Sequence, residues 1–160
     1  MKKLFIFFLL ATPFVAMSQA HSGYTASYSS SFTIADPSYS EKILSLWKDF
    51  ENNTLDNHLD MFADTVTMML GNGAMIKGKA ENLKSAKEYR NSMKNYKATL
   101  DAWMSVKSTD RNENVVCVWG NETHMDKDGK PVKSRLQEVW KFNKDGKIDL
   151  MLQYTAPGNM

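Results

Sequence analysis

The stretch from residue 115 to residue 154 decides the fold: VVCVWGNETHMDKDGKPVKSRLQEVWKFNKDGKIDLMLQY. It contains three runs rich in β-branched and aromatic residues, separated at Asp128-Gly129 and Asp145-Gly146. Asp-Gly suits the positive φ angles of a tight hairpin turn, so these runs predict consecutive antiparallel strands. With one earlier run they give a four-stranded meander: 98–107, 115–125, 132–142 and 148–154.

Upstream of the meander, apolar residues recur at helical spacing. Asp36 can cap a first helix, Thr54 can cap a short second one, and a third helix starts at Gly78. A short strand pair, 65–70 and 75–76, lies between the second and third helices. This order of elements predicts an α+β fold in which three helices cover one face of a curved antiparallel sheet.

The N-terminus has the three regions of a secretory signal peptide, which we place at residues 1–20. Lys2 and Lys3 precede an apolar run, and small residues follow it. A transmembrane anchor is the alternative, but Thr12 and Pro13 break the run, which is shorter than the roughly 20 residues that span a bilayer.

Cleavage after Ser18 or after Ala20 would both suit signal peptidase. A lipoprotein needs a cysteine at its mature N-terminus, and the only cysteine is Cys117. We therefore expect a periplasmic or secreted protein that has no contact with the membrane after cleavage. Residues 21–35, rich in Ser and Tyr, are predicted to be a linker or arm, and residues 36–157 a single domain.

The charge of the chain argues against two classes of partner. The 20 basic and 18 acidic side chains become 18 and 18 once Lys2 and Lys3 are removed with the signal peptide. A balanced surface does not favour nucleic acid or an anionic membrane, which are held by clustered basic residues. With one cysteine the chain forms no internal disulfide.

Metal and cofactor motifs do not occur in the sequence. It has neither a helical H-E-x-x-H pattern nor paired cysteines, and the turn 126–129 is too short for a calcium loop. G-x-S-x-G and P-loop patterns are missing as well. Cys117 lies in an apolar strand without a basic neighbour, which predicts a core position. We expect no metal and no cofactor.

The order of elements and three local motifs resemble the nuclear transport factor 2-like superfamily, in its SnoaL-like and ketosteroid isomerase-like branch, from Ser38 to Pro157. The motifs are 59–64 (LDMFAD), the strand pair with Gly73 and Gly78, and 140–148 (WKFNKDGKI). The resemblance implies a cystatin-like, cone-shaped sheet wrapped around the three helices, with an apolar pocket at its open end. It also implies a homodimer formed through the outer sheet face, but no single activity.

The steroid isomerases of that family use an aspartate base, a tyrosine and a protonated acid. The resemblance places Leu70, Leu46 and Arg135 at those positions. Leucine can neither accept nor donate a proton, so we do not expect steroid isomerisation by that mechanism.

Comparison of strand registers with the family suggests which side chains face the pocket. A bulge would shift a register by one residue and exchange Gln137 for Leu136 or Glu138. The predicted pocket residues are Trp103, Trp119, Asn121, Thr123, Arg135, Gln137, Met151 and Gln153. Arg135 there would favour an acidic ligand; alternatively, it faces solvent or pairs with Glu122 or Glu138.

Three functions are compatible with these residues. The favoured hypothesis is a non-catalytic or weakly catalytic protein that binds a small apolar or acidic molecule in its pocket. The first alternative is a cofactor-free isomerase, cyclase or dehydratase with His124, Glu138 or Asp64 as acid-base groups. The second is a structural or partner-binding module, which predicts that bulky side chains fill the cone.

Overall fold

The structure is a computed structural model that describes residues 23–158, so the predicted signal peptide lies outside the described residues. One seven-stranded sheet carries two α-helices, α1 (Ser38–Asn52) and α2 (Lys79–Asn91), and one short 3-10 helix, Leu59–Met61. The strands are β1 (Phe32–Ile34), β2 (Phe62–Met69), β3 (Met75–Lys77), β4 (Lys94–Ser108), β5 (Glu113–Met125), β6 (Pro131–Phe142) and β7 (Ile148–Pro157). The predicted α+β class is confirmed.

The predicted meander is confirmed by antiparallel pairing of β4 with β5, β5 with β6, and β6 with β7. Gly129 and Gly146 have φ angles of 77° and 70° in the two hairpin turns, as the Asp-Gly pairs require. The sheet order is β1-β4-β5-β6-β7-β2-β3, with β2 parallel to β7.

The prediction of three helices is wrong. Residues 54–58 form turns, and only the 3-10 helix Leu59–Met61 follows them. Thr54 does not cap a helix, because its hydroxyl donates to Asp49 Oδ1 at 2.9 Å. Asp36 does assist the start of α1, since its Oδ1 accepts the Ser38 N–H at 2.9 Å.

Part of the predicted linker belongs to the sheet. β1 pairs with the edge of β4, with Phe32 opposite Ser108 and Ile34 opposite Val106. Tyr28 donates to Glu113 Oε2 at 2.7 Å. The folded unit therefore begins several residues before the predicted boundary at residue 36.

Both helices pack on the inner face of the sheet, where the core lies. The core consists of Ile43, Trp47, Val66, Val116, Val118, Leu136, Trp140, Phe142, Ile148 and Met151. The ring of Trp47 lies over Gly120, where a Cβ atom would come within 2.9 Å of its Cη2. Helix α1 thus approaches β5 at a residue without a side chain.

Candidate functional site

A cavity of about 440 Å³ lies between the two helices and the inner face of the sheet. Leu46, Trp47 and Phe50 enter it from α1, and Leu83, Ala86 and Tyr89 from α2. These positions recur at helical spacing, so each helix presents one apolar stripe to the cavity. The wall is therefore mainly aliphatic and aromatic.

The sheet contributes two carboxyl groups to this apolar wall. Glu122 lies on β5 and Glu138 on β6, and each is 6% exposed. Glu122 pairs with Ser134, so Glu138 lies four positions along β6 from the residue opposite Glu122, about 13 Å along the strand. Between them on the inner face lies Leu136.

Three N–H donors hold the carboxyl of Glu138. Trp47 Nε1 and Trp140 Nε1 donate to Oε2 at 2.7 and 3.0 Å, and Gln153 Nε2 donates to Oε1 at 3.0 Å. Burial in an apolar wall raises the pKa of Glu138, because water no longer solvates the charge; the three donors oppose that rise.

Burial also raises the pKa of Glu122, and the negative charge of Glu138 adds to this rise. Hydrogen bonds from Ser134 and Tyr96 act in the opposite direction. The phenol of Tyr96 is itself buried beside both acids, which raises its pKa far above the usual range. The cavity therefore contains two acids that retain protons more readily than exposed glutamates.

The predicted register is wrong by one residue on β5 and β6. Trp119, Asn121, Arg135 and Gln137 alternate with the buried inner residues and lie on the outer face. Arg135 is exposed, which agrees with the solvent alternative. The cavity receives Glu122, Ser134, Leu136 and Glu138 instead.

The remaining predicted pocket residues divide between three places. Met151 and Gln153 line the cavity. Trp103 is 50% exposed and does not line it. Thr123 lines a second, more open pocket with His124 and Lys133 at the end of β5.

The three candidate acid-base residues also occupy different environments. Glu138 faces the cavity, whereas Asp64 is exposed and forms an ion pair with Lys79 at 2.5 Å. His124 stacks on Tyr96, its Nδ1 is buried without a hydrogen-bond partner, and burial lowers its pKa. Of the three, Glu138 alone borders the cavity.

The cavity also contains three residues that were not predicted from the sequence, Glu122, Tyr96 and Trp140. The alternation on β6 could have located Trp140, because Leu136, Trp140 and Phe142 share one phase of the strand. Leu46 and Leu70, which stand at the isomerase tyrosine and aspartate positions, do line the cavity.

Residues 23–158 were compared with the requirements of a metal site and of a membrane-spanning helix. Within that range no group of three or more His, Cys, Asp or Glu side chains could hold a metal ion. No helix in the same range has the length and apolar character needed to cross a membrane.

Solved structures of the same architecture identify the fold. The chain resembles an LEH-like epoxide hydrolase from Mycobacterium tuberculosis, with 11% identity, a TM-score of 0.62, and coverage of 78% of this chain and 82% of that one. An NTF2-like protein of unknown function from Exiguobacterium gives 16% identity, a TM-score of 0.59, and coverage of 72% and 98%. The chain has the nuclear transport factor 2-like fold.

A third neighbour is a protein with a ketosteroid isomerase-like fold from Catenulispora acidiphila, solved in complex with trimethylamine. It is 15% identical, with a TM-score of 0.56 and coverage of 75% of this chain and 86% of that one. No protein-family profile matches the sequence, and no curated protein does either. At these identities the likeness concerns the fold, and the expected resemblance is confirmed at that level.

The raised pKa of Glu138 predicts how stability depends on pH. A native state that binds a proton more tightly than the unfolded chain becomes more stable as pH falls through the native pKa. We expect the free energy of unfolding of the wild type, minus that of Glu138→Gln, to increase from pH 8 to pH 5, measured by urea denaturation.

The matched control is Glu88→Gln, which removes an exposed carboxyl from α2. Its difference from the wild type should stay nearly flat over the same range. A Glu138→Gln difference that shrinks as the pH is lowered contradicts the assignment.

Proposed function

We propose that the protein is exported and binds a small, mostly apolar molecule in the cavity between the helices and the sheet. The observation that carries this proposal is the apolar cavity of about 440 Å³ with a buried carboxyl in its wall that accepts three hydrogen bonds. Ligand pockets of soluble proteins combine such apolar walls with a few fixed polar groups.

An acidic ligand was expected because Arg135 was predicted to face the pocket. Arg135 lies on the outer face of the sheet, so it cannot hold such a ligand in the cavity. Two carboxyls in the wall would repel an anion. An open cavity also argues against a purely structural module, which would have a filled interior. The Catenulispora protein with the ketosteroid isomerase-like fold was solved in complex with trimethylamine, which is a small molecule of the size proposed here.

A pair of substitutions on one helix tests the binding site. Ala86 faces the cavity from α2, whereas Ala80 is exposed on the same helix. We expect the wild type to bind the uncharged dye N-phenyl-1-naphthylamine, and Ala86→Phe to weaken binding at least about tenfold by filling the cavity. Fluorescence titration measures this.

Ala80→Phe adds the same ring outside the cavity and should bind the dye like the wild type. Equal affinities of the wild type and Ala86→Phe, or no dye binding by the wild type, would count against the cavity as a binding site.

A second candidate function is cofactor-free acid-base catalysis, favoured by the raised pKa values of Glu138 and Glu122. A protonated glutamic acid can protonate an ether or epoxide oxygen while the other carboxylate removes a proton from attacking water. With an epoxide, water adds to carbon, the C–O bond breaks, and a diol results.

Styrene oxide tests this candidate. We expect diol formation above the buffer rate, measured by chromatography, and a loss of about 100-fold in Glu138→Gln but none in Glu88→Gln. Diol formation at the buffer rate, or undiminished in Glu138→Gln, would exclude this activity.

We also propose a homodimer through the outer sheet face. Cys117, Val139 and Leu152 form a paired row across β5, β6 and β7, flanked by the exposed Tyr154. Packing of two such faces removes this apolar surface from water.

Light scattering tests the dimer. The wild type should have twice the mass of one chain, and so should the control Lys144→Asp, which changes a charge in a turn. Val139→Asp places a charge in the apolar row and should have the mass of a single chain. A monomeric wild type would refute the dimer.

A further inference from the structure

The charged groups that line the cavity are unbalanced. Among the described lining residues the acids are Glu122 and Glu138, and the one basic side chain is Lys79. Lys79 Nζ lies 2.5 Å from Asp64 Oδ1, so its charge is already paired with an exposed carboxylate. Neither interior acid therefore has a basic partner.

The donors around the two acids favour their ionised forms. Three N–H groups point at Glu138, and Ser134 and Tyr96 line the cavity with Glu122 and oppose the rise of its pKa. The N–H donors around Glu138 stabilise its carboxylate form but cannot accept the proton of a carboxylic acid, and the hydroxyls near Glu122 can also donate to a carboxylate. Burial and mutual repulsion act against ionisation, and a positive charge between the acids would remove this conflict.

Aromatic rings form much of the remaining wall. Trp47, Phe50, Phe62, Tyr89, Tyr96 and Trp140 all line the cavity. The faces of such rings carry negative potential and attract cations, most strongly where water is excluded. Acids and rings together form the two kinds of group that recognise alkylated ammonium ions.

We propose that the ligand is a small alkylammonium cation, seated between Glu122 and Glu138 against these rings. This inference rests on the proposed binding function of the cavity and specifies its ligand class. The alkyl groups contact the aliphatic wall, and the positive nitrogen neutralises the carboxylates. An uncharged ligand would leave the acids without a counter-ion, and an anion would be repelled by both.

The groups around Glu122 determine how binding depends on pH. The titratable or charged side chains that face it, or that contact its partner Tyr96, are Tyr96 (β4), His124 (β5), Glu138 (β6), Tyr89 and Arg90 (α2). The Arg90 guanidinium donates to the carbonyls of Phe50 and Glu51. His124 has a lowered pKa and is neutral above pH 7. The cation should therefore bind better as the pH rises and the two glutamates ionise.

Choline and 3,3-dimethylbutan-1-ol provide a matched pair of probes, since the second replaces the quaternary nitrogen of the first by carbon. The charge of choline does not change with pH, so any pH dependence comes from the protein. We expect calorimetry on the mature protein at pH 8 to give choline an affinity at least about tenfold higher than its uncharged analogue. Choline affinity should fall on going from pH 8 to pH 4.

The variants separate this inference from the binding function. Glu122→Gln should reduce choline affinity at least about tenfold without reducing affinity for the analogue, while Glu88→Gln should change neither.

If the analogue binds as tightly as choline, the proposal of a cationic ligand is wrong, and the proposed binding function stands. If neither probe binds while N-phenyl-1-naphthylamine does, the cation is also wrong; if none of the three binds, both proposals fail. Choline affinity that does not change between pH 8 and pH 4 also overturns the inference, even if Glu122→Gln does not fold.

Discussion

The carboxyl of Glu138 is the group on which the arrangement of the cavity depends. Its hydrogen bonds join Trp47 of α1 to Trp140 of β6 and Gln153 of β7. Removal of one hydrogen-bond partner from a buried polar group costs about 1–3 kcal/mol, because the group that remains is left unsatisfied away from water. The position of α1 over the sheet, and with it the cavity wall, is therefore tied to this one side chain.

A core that served stability alone would not need this acid. Apolar residues of similar volume often replace buried ionic groups without loss of stability. The two glutamates instead retain a polar, proton-binding surface inside an apolar wall, which is the property that a ligand site requires. The neighbouring Gly120 has a related role, because the absence of a side chain lets the Trp47 ring lie against β5.

The fold could be predicted because its signals are local. Each Asp-Gly pair identifies a hairpin without reference to the rest of the chain, and two of them specify three strands of the meander. The second helix could not be predicted in this way. Its capping signal, Thr54, satisfies Asp49, which also contacts His58, and this local cluster replaces the helix by turns. Side-chain competition of that kind depends on contacts that a capping rule does not include.

The site was harder to predict because the register of a strand depends on its partners. On β5 both faces are apolar from Val115 to Trp119, so alternation does not distinguish them. On β6 it does: Arg135 and Lys141 share one phase, and Leu136, Trp140 and Phe142 share the other. Glu138 alternates in step with these apolar residues, and an acid at such a position indicates a buried carboxyl. Side chains of paired residues on neighbouring strands point to the same face of the sheet. Glu122 pairs with Ser134, which alternates in step with Leu136 and Glu138, so Glu122 also lies on the inner face.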